Sequence, residues 1–206
     1  MTITIVDYGV GNLGSIQNAF KKLGAVAVIT ADSRVIGTAS KLILPGVGSF
    51  DAGMSQLNSS GLRNILDDAV LNRKVPVMGV CLGMQLMTQS SEEGQLQGLG
   101  WIRANTIRFA PKSNEEIKVP NMGWSNVTIQ KQSNILKNID NDARFYFVHS
   151  FYVSCIDRND ALLGAQYGST DFDAAFEKDN ILGFQFHPEK SHRFGLAIFK
   201  GFLENC

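Results

Sequence analysis

Between residues 75 and 86 the chain runs Val-Pro-Val-Met-Gly-Val-Cys-Leu-Gly-Met-Gln-Leu, and this stretch limits the fold more than any other. An apolar run up to Val80 reads as a buried strand and the residues from Leu82 as a helix, which leaves Cys81 alone at the apex of a very tight turn. Gly79 and Gly83, two residues before and after it, leave room for neighbouring backbone, so that the apical side chain can stand out in a strained conformation. A strand that passes straight into a helix through such an elbow belongs to a sheet with helices packed on it. A cysteine at that apex is placed to attack, with the first N–H groups of the helix favouring its ionised form and later an oxyanion. A buried structural cysteine at a tight turn is the alternative reading of this stretch taken alone.

The rest of the first half repeats the strand-then-helix pattern. Residues 3–7 form a β-rich run that ends in glycines, and Leu13, Ile16, Phe20 and Leu23 follow at helical spacing. Strands are predicted over 25–29 and 41–44, and helices over 50–57 and 62–71. Gly9-Val10-Gly11-Asn12-Leu13-Gly14 is a literal GxGxxG between strand and helix, with Asp32 about twenty residues on, as in dinucleotide-binding units. Such a turn also arises wherever a parallel sheet needs close helix packing, and the chain is short for a dehydrogenase. Pro45-Gly46-Val47-Gly48, directly after a strand, has backbone that can approach a ligand and peptide planes that turn over easily. That loop and Leu82, the residue after the cysteine, are candidates for the two N–H donors of an oxyanion hole.

Beyond the elbow helix the texture changes to glycine-punctuated strands over 99–109, 124–130, 144–148, 162–167 and 174–178. A hairpin over 173–186 turns at Asp179-Asn180, and a last helix covers 192–203. The expectation is a single α/β domain over 1–206 with an antiparallel extension. The histidines are His149, His187 and His192. His187 ends a strand, where functional groups gather in open α/β sheets, and Pro188 stiffens the turn that brings Glu189 back towards the imidazole. Nucleophile, base and orienter would then be Cys81, His187 and Glu189, with His149 as the rival base.

A formal net charge of zero, with Lys and Arg scattered, gives no reason to expect nucleic acid or a membrane as partner. Three cysteines without CxxC spacing argue against a disulfide framework or a structural zinc site, and no metal or cofactor is expected. With no leader-like segment and no apolar run of spanning length, a soluble, cytoplasmic protein is the expectation.

Gly79-Val80-Cys81-Leu82-Gly83-Met84-Gln85 together with His187-Pro188-Glu189 resembles the class I, triad-type glutamine amidotransferases. Asp7-Tyr8-Gly9-Val10-Gly11-Asn12, the Pro45–Gly48 loop, Pro120-Asn121-Met122-Gly123-Trp124, Tyr146-Phe147-Val148-His149-Ser150 and Gln185–Ser191 resemble one branch, the glutaminase subunits of imidazole glycerol phosphate synthases. The resemblance runs nearly end to end. It implies a flavodoxin-like, open mixed and mostly parallel sheet flanked by helices, with the antiparallel extension. It implies hydrolysis of L-glutamine to glutamate and ammonia through a Cys81 thioester, and ammonia channelled to a (β/α)8-barrel cyclase, in a heterodimer, for histidine and a purine by-product. It further implies oxyanion donors from Val47, Gly48 and Leu82, and a glutamine pocket lined by Gly46, Gly48, Gln85, Ser150 and Phe151. A peptide at Val47 would be turned away until the partner is loaded, and Asn12, Met122, Gly123, Trp124 and Lys190 would meet that partner. Asn121, Ser125, Phe151 and His192 depart from the branch's usual residues. They leave the triad alone but keep open a sister glutaminase that feeds a sugar-aminating synthase of surface polysaccharide pathways. A non-catalytic nucleotide-binding module using GxGxxG is the remaining alternative.

Overall fold

The computed structural model describes residues 2–110, 117–140 and 142–206. Five strands form its parallel core: β1 (Thr2–Val6), β2 (Val26–Thr30), β3 (Leu42–Leu44), β4 (Val77–Val80) and, from far along the chain, β13 (Ile181–Phe184). Their spatial order is β2-β1-β3-β4-β13, the flavodoxin-like arrangement. Residues 3–6 of β1 are all buried, as they must be in a parallel sheet covered on both faces. Ile3 and Ile5 pack on one side with Ile16 and Phe20 of α1 (Leu13–Lys22) and with the apolar face of the C-terminal helix, while Val6 packs on the other side with Phe50, Met54 and Leu57. That second layer holds α2 (Ser33–Gly37), α3 (Phe50–Ser59), α4 (Arg63–Asp67) and α5 (Leu82–Leu86); the C-terminal helix of the first is α6 (His192–Asn205).

Past β13 the sheet turns antiparallel. The hairpin of β12 (Thr170–Lys178) and β13 turns at Asp179 and Asn180, as its two-residue loop predicts, with Asp179 at φ 52°. β10 (Phe151–Cys155) then pairs β12 and β6 (Ala104–Arg108), and the short β5 (Ser90–Ser91) closes the edge. β11 (Ala161–Tyr167) pairs β12 and the short β8 (Thr128–Ile129), and β7 (Asn121–Asn126) with β9 (Arg144–His149) makes a separate ribbon.

Several predicted boundaries move. The strand expected over 99–109 begins only at Ala104. The one expected over 124–130 starts earlier, at Asn121, because Gly123 adopts φ 139° inside the ribbon instead of ending it. α4 widens into a π-helical turn, Asp68–Asn72. β10 has no counterpart in the sequence reading, which ends one strand at Val148 and begins the next at Leu162.

Candidate active site

Three neighbouring strands, β3, β4 and β13, deliver their C-terminal ends to one place. Leu44 lies beside Gly79 and Phe184 beside Val80, so the residues just past each strand are level with one another. They are the Pro45–Gly48 loop, Cys81, and the segment from Gln185 to Glu189. The Cys81 N–H donates to the Phe184 carbonyl at 2.8 Å, which ties the elbow to β13. Cys81 itself has φ 53° and ψ −110°, a strained backbone for a side chain with a Cβ. The flanking glycines are needed for close approach: a Cβ on Gly79 would meet the Met84 amide, and one on Gly83 would overlap the Leu44 carbonyl. α5 has only five residues, so any field at the sulfur comes from its first free N–H groups and not from a long helix.

His187 is buried, and its Nδ1 lies 2.8 Å from Glu189 Oε1, which leaves Nε2 for Cys81. Burial opposes a charge on this imidazole, but hydrogen bonding and charge from Cys81 and from Glu189 outweigh it and raise its pKa to about 9. The turn is held on both sides: the His187 N–H donates to the Tyr146 carbonyl at 2.9 Å, and the Ser191 hydroxyl donates to the His187 carbonyl at 2.7 Å. His149, the rival base, has both nitrogens occupied. Nδ1 donates to the Phe151 carbonyl at 2.7 Å and Nε2 accepts from Asn121 Nδ2 at 3.1 Å. Burial pushes its pKa down to about 4, only partly offset by the Phe151 carbonyl, and the nearby His187 lowers it further. It is a neutral brace for residues 149–151 in this geometry.

A cavity of about 350 Å³, large enough for an amino acid, is lined by Val47, Gly48, Cys81, Leu82, Gln85, Ser150, Phe151 and His187, with Glu93, His149 and Lys190 among the others. Gly46 packs beneath, where a Cβ would lie 2.6 Å from the Gly83 nitrogen. The buried Tyr8 hydroxyl donates to the Pro45 carbonyl. A Cβ on Gly11 (φ 120°) would come within 3.1 Å of the Pro45 side chain, so the glycine-rich turn is used to seat this loop closely. The outer half of the loop is free by contrast: Val47 is 44% exposed and a Cβ on Gly48 (φ 104°) would meet nothing within 4 Å.

Sequence reasoning missed two members of the site. Glu93, whose carboxylate accepts from the Phe50 N–H at 2.7 Å, stands at the cavity mouth on a segment with no periodicity to mark it. Gln185 lies inside the Gln185–Ser191 motif with nothing in the sequence to mark its part, although its amide reaches the Cys81 sulfur. Of the five residues expected to face a partner, Asn12, Met122, Trp124 and Lys190 are exposed and Gly123 half-buried. Trp124 stacks on His192 at 5.3 Å and lies near Tyr146 at 6.2 Å, while the Lys190 ammonium sits 5.7 Å over the Tyr146 ring, so this surface runs up to the cavity rim. No helix among the described residues is long and apolar enough to cross a membrane, and no group of metal-ligating side chains is found among them.

A family model described as glutamine amidotransferase class-I matches residues 4–206. The chain is 49% identical, over 99% of its own length and 100% of the other's, to imidazole glycerol phosphate synthase subunit HisH 2 of Methanococcus maripaludis. It is 50% identical to the subunit of the same description from Pseudomonas aeruginosa, covering 98% of each. Among solved structures, a glutamine amidotransferase superposes with a TM-score of 0.74 at 17% identity, covering 98% of this chain and 97% of that one.

Proposed function

The chain belongs to the class-I glutamine amidotransferase family, and from that premise we propose that it is the glutaminase subunit of an imidazole glycerol phosphate synthase. The reading is carried by identity of about half over essentially the full length to two subunits of that description. The geometry is consistent with the chemistry such a subunit performs.

In that chemistry Cys81 Sγ attacks the side-chain carbonyl carbon of glutamine, and the proton passes through His187 Nε2 to the leaving nitrogen, which departs as ammonia. Water then attacks the thioester, His187 takes its proton, and glutamate leaves as the sulfur is restored. Glu189 fixes the His187 tautomer from Nδ1 and stabilises the imidazolium. The Leu82 N–H and the Val47–Gly48 peptide are the oxyanion donors. Glu93 and the Gln85 side chain receive the substrate's α-ammonium group, and Ser150 and Phe151 line the same cavity, Phe151 beside Gln85. Pro45 and Gly46 are pinned whereas Val47 and Gly48 are not, so the Val47 peptide can turn over without moving its anchor. A barrel cyclase docked over Asn12, Met122, Gly123, Trp124 and Lys190 would set that peptide and collect the ammonia for imidazole glycerol phosphate, on the route to histidine.

The test is glutamate release from glutamine, with and without the candidate cyclase and its phosphoribosyl ligand. Release should rise strongly with both and vanish in Cys81→Ala. Release indifferent to the cyclase would overturn the partner, and release that survives Cys81→Ala would overturn the nucleophile.

A further inference from the structure

Gln185 is fully buried, with no solvent exposure, one residue beyond β13 and beside the elbow. An amide in such a place must satisfy both its oxygen and its nitrogen within the protein. Its surroundings fix which end points where. The Phe151 carbonyl can only accept, so the group of Gln85 that lies 3.1 Å from it must be the NH2. The same NH2 lies 3.1 Å from the Gln185 side chain, which therefore turns its oxygen towards Gln85. Its own NH2 then faces Cys81 Sγ, at 3.9 Å. The chain of donors runs in one direction, from the Gln85 amide to the Gln185 oxygen and from the Gln185 amide to the sulfur.

Two consequences follow. With both Gln85 protons engaged by Phe151 and Gln185, its oxygen is left as an acceptor for the cavity, the right polarity for an ammonium group. The sulfur, in turn, has a second polar neighbour besides His187, on a residue with no freedom to swing away. A nitrogen at 3.9 Å makes a long bond to a neutral thiol, and such bonds tighten when charge develops on the acceptor. We propose that Gln185 is a sulfur-directed donor that holds Cys81 Sγ in its attacking position and stabilises its negative charge, while orienting Gln85 for glutamine. The second half of this assignment rests on the glutaminase reading; the first does not.

Alkylation of Cys81 by iodoacetamide tests the first half on the full chain alone, without glutamine or partner. The peptide containing Cys81 is followed by mass spectrometry, since the exposed Cys206 is alkylated as well. Gln185→Leu removes the donor, and Gln185→Glu keeps the shape and the acceptor for Gln85 while replacing the donor with a carboxylate oxygen. In both, the pH of half-maximal alkylation should rise, by about one unit for Gln185→Leu. In the complex with the cyclase, Gln185→Leu should lower kcat and regain part of it at higher pH, along with a raised KM for glutamine. A wild-type alkylation profile in whichever variant remains folded overturns the proposal, and a raised KM with that profile leaves Gln185 as packing behind Gln85 only. Normal alkylation shifts in a chain that releases no glutamate would instead sink the glutaminase reading and keep the sulfur contact.

Discussion

Gly46→Ala is the smallest change that should separate a reactive cysteine from a working enzyme. A methyl group there would lie 2.6 Å from the Gly83 nitrogen, 2.8 Å from Leu82 Cβ and 3.0 Å from the Leu82 carbonyl carbon. None of these atoms can move aside, because they belong to the elbow that also carries Cys81. Ordinary contact begins at 3.4 Å, so the loop must retreat by about 0.8 Å (3.4 minus 2.6). Anchored by Tyr8 on the far side of Pro45, it would carry the proposed Val47–Gly48 donors away from the oxyanion by a similar distance. Loss of one such donor costs about 10² to 10³ in kcat, and a displacement near 1 Å costs about 10² by itself. The expected result is a fall in kcat of roughly a hundredfold for glutamate release in the presence of the proposed cyclase partner. The rate of Cys81 alkylation by iodoacetamide should change little, because the nucleophile and His187 stay where they are. Full turnover in Gly46→Ala would show that this loop does not supply the oxyanion donors from its observed seat. Loss of alkylation together with turnover would show that the elbow itself had been deformed.

Two stability predictions follow from buried polar groups. His149 has a folded-state pKa of about 4, below the ordinary 6.5, so the unfolded chain binds the extra proton and stability is lost as pH falls from about 6.5 to 4. The 2.5-unit difference amounts to about 3 kcal/mol; His187, raised to about 9, is protonated in both states over that range and does not cancel it. Urea unfolding of the wild type and His149→Gln should therefore show a stability difference that shrinks with acidification, and a constant difference would refute it. Lys41, 2% exposed, donates to the Phe202 and Leu203 carbonyls at 2.7 Å each and so caps α6. Lys41→Met should cost about 2–4 kcal/mol by leaving those carbonyls unpaired. Turnover of the folded fraction should stay intact, because Lys41 lies at the opposite end of β3 from the site; unchanged stability in urea would refute the cap.

The elbow was readable from local pattern because every requirement there is local. The backbone at Cys81 is strained, glycine is required where two backbones touch, and both leave a mark within five residues. The same holds for the turn at Asp179-Asn180 and for the helical spacing of α1. His187 and Glu189 could be paired from sequence because Pro188 sets the turn between them. The GxGxxG was ambiguous for the converse reason: a glycine needed to admit a phosphate and one needed to admit Pro45 look alike in sequence, and only the packing of Gly11 on that ring tells them apart. Glu93 left no trace, since a carboxylate on an irregular segment has no period, and Gln185 acquires its role only from atoms that other strands bring to it.

By itself, then, the sequence determined which residues can do chemistry and what local shape each must take, since strain, glycine spacing and turn chemistry act over a few residues. The tertiary structure decided that they meet. Parallel pairing of β4 with β3 on one side and with β13 on the other sets the Pro45–Gly48 loop, Cys81 and the His187 turn level with one another. That register comes from burying Leu42, Val77 and Ile181 side by side against one helical layer, and it cannot be read from any one segment. The same pairing gives the two histidines different surroundings. His187 is left with one nitrogen towards the sulfur and a charge-stabilising partner on the other, whereas His149, with both nitrogens spoken for and no room for a charge, became the brace behind the pocket wall.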